Sequence, residues 1–228
     1  MSFVVKRRLA LLPTDRSLSG ALGLARGVDV LGLREAKKDR TRFQLLEAAL
    51  DLIARQGFEQ TTLNEIADAV QVSPRTLLRY FPTKEDVIVS WVDEGMAVLR
   101  EGLEARPPGE SRPEALLAAA RDMLAAYQAR GGFFLVIERA IATSDTVAAR
   151  KQQMMEVLAR DVSAILAERE DGQAQHGEAR SSLIRDVHVG TVFAIIRASI
   201  RSWVGTNGGR PLPDLFDEAA CAVRFVET

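Results

Sequence analysis

Apolar residues recur at three- and four-residue intervals along most of the chain, and runs of Val, Ile and Thr that would mark strands are few. That pattern predicts helices. Leu45, Ala49, Leu52 and Ile53 fall at i, i+4, i+7 and i+8, one apolar stripe on a first helix of about 35–56. Gly57 offers a left-handed stop, with Phe58 placed to fold back onto Ile53. Thr62 and Glu65 have the spacing of a capping box, in which hydroxyl and carboxylate satisfy the free amides of a first turn. They open a second helix with Ile66, Ala67 and Val70 on its buried side. Gln71 and Val72 form a very short turn, after which Ser73 as N-cap and Pro74 in the first turn open a third helix that stops before Pro82. Thr83, with Asp86 three residues on, caps a fourth.

That fourth helix carries Ile88, Trp91, Val92, Met96 and Leu99 and breaks at Pro107-Pro108-Gly109. A fifth carries Leu116, Ala120, Met123, Leu124 and Tyr127 and ends at Gly131-Gly132. The sixth, Phe133 to Ile141, is apolar apart from Glu138 and Arg139, which predicts a central place. A seventh over about 145–170 carries Val147, Met154, Leu158, Val162 and Ile165. Residues 171–178 read as a polar loop, and an eighth helix over about 179–204 and a ninth from Pro213 complete the chain. The expectation is an all-α fold of about nine helices. A flexible extension (1–33) precedes an N-terminal three-helix helix-turn-helix domain (34–94, the motif itself at 62–81) and a C-terminal helical domain (95–228).

Two helices of about eight residues joined by so short a turn form a helix-turn-helix, the second clamped across the first with its outer face free for a major groove. Charge supports this reading only once it is resolved along the chain. The net charge of the 228 residues is -1, but residues 1–42 hold ten Lys and Arg against four acids, a surplus of +6. A basic head on an acidic body suits a protein that presents one end to phosphates, although a solvated basic tail has the same composition.

Enzyme chemistry finds no support. There is no P-loop, G-x-S-x-G or H-E-x-x-H, and Gly20, Gly23 and Gly27 do not have phosphate-binding spacing. Two histidines, His176 and His188, and one cysteine, Cys221, make no metal set, so neither metal nor cofactor is expected. The single cysteine fits a reducing cytoplasm. Pro13, Asp15 and Arg16 cut the first apolar run short, and no run approaches a membrane span, so export and membrane insertion are not expected.

The stretch from Thr62 to Glu85, TLNEIADAVQVSPRTLLRYFPTKE, resembles the DNA-binding domain of tetracycline-repressor (TetR) regulators. With the first helix included, the resemblance covers about 37–94. It implies a DNA-binding head, a dimerising ligand-binding body and nine helices. GLREAKKDRTR upstream and SPRTLLRYFPTKED resemble, more narrowly, regulators of the mycofactocin-system type, whose bodies are associated with acyl-CoA-like ligands. Two positions depart from the family. Gln71 stands where the turn usually has Gly, at a cost of ~1 kcal/mol for a left-handed backbone. Leu78 replaces an aromatic, commonly Tyr, that touches DNA in relatives, and so loses a contact or turns it apolar, against a thymine methyl.

Arg75 and Arg79 lie one turn apart on the third helix with no acid between Ser73 and Phe81. They are the candidate base readers, each guanidinium able to take guanine O6 and N7 for roughly 1–3 kcal/mol of discrimination. A surface ion pair is the alternative for either. Ser73, Pro74 and Asn64 fall at the groove edge. The resemblance assigns Thr62, Thr76, Tyr80 and Lys84 to the phosphate backbone. Arg40 and Arg42, with Lys37 and Lys38, suit phosphates or an adjacent minor groove, and equally a solvated helix start.

In the body, Gly190, Ala194, Ala198 and Ser202 recur every four residues, a ridge of small side chains that suits either a homodimer interface or the ninth helix of the same subunit. Trp91, Met96, Phe133, Phe134, Met154, Met155, Phe193 and Trp203 are candidates to line a cavity for a small hydrophobic effector, with Arg139 and His188 as polar contacts. Plain core is the alternative for each. The expected function is a transcriptional regulator, not an enzyme: a dimeric repressor released from a pseudo-palindromic double-stranded operator by such an effector, with the fourth helix as lever. The alternative is a ligand-independent regulator or activator whose body only dimerises or docks a protein.

Overall fold

The computed structural model describes residues 30–107, 109–168 and 178–223, and every regular element among them is a helix. Residues 1–29 of the expected extension, residues 171–177 of the expected loop with His176, and residues 224–228 of the expected ninth helix lie outside the described residues. The chain divides into a unit that ends at Ser90 and another that begins at Trp91, four residues before the boundary expected after Glu94.

The head unit contains α1 (Val30–Gln56), α2 (Leu63–Ala69), α3 (Pro74–Tyr80) and α4 (Lys84–Val89). α1 starts at Val30, before the expected Glu35. Phe43, Leu45, Leu46, Ala49 and Leu50 are its buried stripe, while Leu52 and Ile53 are half-buried. α1 packs against α2 and α4, and α2 against α3. Gly57 ends α1 at φ +85°, its amide donating to the Ile53 carbonyl at 2.8 Å. Ser90 follows α4, and its amide and hydroxyl both donate to the Val87 carbonyl.

The body unit contains α5 (Trp91–Glu104), α6 (Arg112–Gln128), α7 (Gly131–Ala142), α8 (Asp145–Glu168), α9 (Glu178–Gly205) and α10 (Leu212–Cys221). Counting α4 and α5 as the single helix read from the sequence, the nine expected helices are present among the described residues. α6 packs against α5 and α10, and α9 against α8 and α10. At the first of these contacts a Cβ on Gly102 would lie 3.5 Å from the Ala119 methyl, an approach that a larger residue at either place would widen. Gly131 and Gly132 do not end a helix as expected; they are the first two residues of α7. A Cβ on Gly131 would sit 3.2 Å from the Trp203 ring, so the missing side chain makes room for the indole. The turn from α9 to α10 passes through Asn207 at φ +53° and Gly208 at φ +76°.

Candidate nucleic-acid interface

The predicted capping box at Thr62 is formed, and the predicted cap at Thr83 is a capping box as well. The Glu65 amide donates to Thr62 Oγ1 at 3.3 Å, and the Thr62 amide donates to Glu65 Oε2 at 2.8 Å. Bonds from the Thr62 hydroxyl, then the Thr62 amide, then Gln56, hold the Glu65 carboxyl below its ordinary value. Thr83 and Asp86 repeat the arrangement, with both backbone bonds at 3.1 Å. Between the boxes Gln71 takes φ +58°, the left-handed conformation that its place in the turn requires. The Val72 amide returns to the Ala67 carbonyl at 3.0 Å, so the turn is closed.

α3 is seated by Leu77, which is fully buried, and stopped at Phe81, whose backbone is extended. Ser73 Oγ accepts from the Thr76 amide at 3.1 Å. The opposite face carries Pro74, Arg75, Leu78 and Arg79, all exposed. The Arg79 guanidinium lies 5.4 Å from the centroid of the Tyr80 ring. The ion pair that was the alternative for Arg75 is not found among the described residues. Asn64 and Arg40 are also exposed, whereas Arg42 is half-buried with its guanidinium 4.9 Å from the Phe81 ring centroid.

Three expected phosphate contacts are otherwise engaged. Thr62 gives its hydroxyl hydrogen to Glu65 Oε2 at 2.8 Å. Thr76 Oγ1 shares a hydrogen with Ser73 Oγ at 2.8 Å. The Lys84 ammonium points inward: it donates to the carbonyls of Phe58 (2.6 Å), Thr61 (3.0 Å) and Glu59 (3.3 Å) and lies 4.2 Å from the Phe58 ring centroid. An ammonium has three hydrogens, so Lys84 is a clasp on the loop before α2, and a phosphate would have to displace one of those carbonyls.

Of the body candidates, Trp91, Phe133, Phe134 and Trp203 come together around Tyr127. Trp91, Met96, Phe134 and Phe193 are buried. Tyr127 and Phe134 stack at 3.7 Å, and Trp91 meets both edge-on at 5.1 and 5.4 Å. Trp203 meets Tyr127 at 6.0 Å. Phe133, Met154, Met155 and His188 are half-buried. Arg139 is exposed and donates to the Asn207 side chain, so it is not the polar contact of an apolar interior. Its neighbour Glu138 takes that place: one residue is about 100° of helix, enough to exchange interior for surface. Glu138 is 8% exposed and accepts from the Tyr127 hydroxyl at 2.9 Å and from the Lys151 ammonium at 2.6 and 2.8 Å. The Trp91 indole N–H beside them finds no acceptor among the described residues. Sequence reading passed over Glu138, Tyr127 and Lys151 as a group, although an acid inside an apolar helix was the available signal.

On α9, Gly190, Ala198 and Ser202 are exposed and Ala194 is half-buried. A Cβ added at Gly190 would meet nothing within 4 Å. The helix turns Val189, Val192, Ile196, Ser199 and Trp203 inward instead. The small-residue ridge is therefore not the contact with α10 of the same subunit. Leu183 (65% exposed) and Val187 (56%) extend it along the same face.

No group of side chains able to hold a metal ion occurs among the described residues, and none of the described helices is long and apolar enough to cross a membrane.

A family model described as bacterial regulatory proteins, tetR family, matches residues 45–90. The HTH-type transcriptional regulator TcmR of Streptomyces glaucescens is 45% identical over 96 residues, which are 41% of each chain. The match thus spans under half of that relative's length. The HTH-type transcriptional repressor KstR of Rhodococcus jostii is 27% identical over 186 residues, 79% of this chain and 84% of its own. Among solved structures, the fatty acid degradation regulator FadR of Bacillus halodurans superposes with a TM-score of 0.52 at 20% identity, covering 78% of this chain and 92% of that one, a likeness of fold. With the capped helix-turn-helix, these matches show that the chain carries, over residues 45–90, a domain of the tetR family of bacterial regulatory proteins.

Proposed function

We propose that the chain is a sequence-specific DNA-binding transcriptional regulator that acts as a homodimer in the cytoplasm, a repressor released from a pseudo-palindromic operator by a small hydrophobic effector of the acyl-CoA class. The observation that carries the DNA-binding reading is the outer face of α3, where Arg75, Leu78 and Arg79 are exposed opposite the buried Leu77. A short helix anchored on one side with two guanidiniums on the other is the geometry of major-groove readout. Arg40 and the bases near the start of α1 supply charge for the flanking backbone. The face of α9 from Leu183 to Ser202 supports dimerisation, because exposed apolar and small residues there have no use in the monomer.

Repression and the effector class rest on relatives: KstR is named a repressor, and a fatty acid metabolism regulator of Bacillus subtilis is 33% identical over 69 residues. Release would follow from an effector that binds one dimer conformation better than the other. One observation favours a second reading, a ligand-independent regulator. Trp91, Tyr127 and Phe134 fill their part of the body by stacking on one another.

A mobility-shift titration on DNA flanking the gene, with and without long-chain acyl-CoA, tests the reading. A shift weakened tenfold or more by Arg75→Ala and reversed by acyl-CoA is the expected result. A shift indifferent to acyl-CoA discards that effector, and no shift on any genomic fragment discards the regulator.

A further inference from the structure

Leu78 is half exposed, at 50%, on the one face of the head that presents two guanidiniums. At about 100° per residue, Leu78 falls about 60° from Arg75 and about 100° from both Arg79 and the buried Leu77, on the flank of the outer face of α3. A leucine left in water forgoes the gain of burial, and its surroundings narrow what can cover it. α3 has no acid, and the nearest charged side chains on its outer face are both cations. An apolar protein surface has no reason to approach a leucine flanked by two arginines. The edge of a DNA major groove does: it offers acceptors to guanidinium and carries one apolar group, the C5-methyl of thymine.

Resting on the DNA-binding reading above, we propose that Leu78 is a specificity-determining residue that reads the C5-methyl of one thymine in each half-site, beside the bases taken by Arg75 and Arg79. An aromatic residue at this place would offer a hydroxyl or a ring face, whereas a leucine offers only contact, so the preference it imposes is for thymine over cytosine and uracil. The operator of this protein then differs at that base pair from those of relatives with a hydrogen-bonding residue there.

The test uses the full chain and DNA selected from a random pool. Each thymine of the selected site is replaced in turn by uracil, which removes the methyl and nothing else. Wild-type protein is expected to lose about threefold to tenfold in affinity at one thymine per half-site, the order of one buried methyl group. Leu78→Ala is expected to bind the thymine and uracil sites equally, at the level of wild type on uracil, and Leu78→Met to keep the discrimination. Loss of sensitivity in the alanine variant but not the methionine variant separates contact from a folding defect, because the side chain is exposed. The proposal is overturned if no single thymine matters, or if Leu78→Ala keeps the same preference. If selection enriches no sequence at all, the DNA-binding reading fails and takes the proposal with it.

Discussion

Lys151 sets its ammonium 2.6 and 2.8 Å from the two carboxylate oxygens of Glu138, an acid that α7 carries into the interior of the body. The pair joins α7 to α8, and the same ammonium lies 5.1 Å from the Trp91 ring centroid on α5. Removing one member leaves the other charge buried. Lys151→Met is therefore expected to destabilise the body by about 3–5 kcal/mol, more than the lost packing alone would require. Urea unfolding of Lys151→Met, Glu138→Gln and the double variant checks this. The double variant should recover part of the loss.

Tyr127 completes the group from α6. Its phenol is held well above the ordinary range by burial first and by the Glu138 charge and hydrogen bond after it. A phenol with a raised folded value gives stability that is whole below about pH 10, where the unfolded chain also keeps the proton, and is lost as pH climbs past it. The urea midpoint should fall between pH 9 and pH 11, and fall less in Tyr127→Phe. At neutral pH Tyr127→Phe should cost about 1.5–3 kcal/mol, a bond to a charged group.

Gln71 keeps a left-handed backbone between α2 and α3. Glycine takes that conformation without strain but loses more freedom on folding, so Gln71→Gly is expected to stabilise the head by only about 0.5–1 kcal/mol. Thermal unfolding is the measurement, and a lower melting temperature would show that the side chain makes a contact worth more than its strain.

Ala198 stands exposed in the α9 ridge. Ala198→Glu puts a charge on that face without touching the subunit's own core, so the protein should sediment as a folded monomer with unchanged helical content. Binding to a two-half-site operator should weaken more than a hundredfold, since both half-sites are no longer held together.

The head was legible because its signals are local. Thr62 reaches Glu65 and Thr83 reaches Asp86 within one turn, and Leu77 and Arg75 separate onto opposite faces by helix geometry alone. What was hidden depends on distance along the chain. Glu138 meets Tyr127 eleven residues before it and Lys151 thirteen after, across two helix junctions. Reading placed Arg139 where Glu138 belongs, since apolar neighbours mark a buried helix but not which of two adjacent polar residues faces in. The α9 ridge was legible as a ridge, but choosing between α10 and another surface needed the burial of Trp203 and Val192 on the other side.

Lys84 supplies a last consequence. Its partners Phe58, Glu59 and Thr61 lie 23 to 26 residues upstream, so one side chain ties the segment entering α2 to the first residue of α4. The recognition helix sits inside that closed ring of chain. Fraying at either flank must break the same three bonds, so amide exchange across residues 58–84 should proceed as one cooperative opening. The reading surface is then either intact or wholly absent, and DNA meets no half-formed version of it.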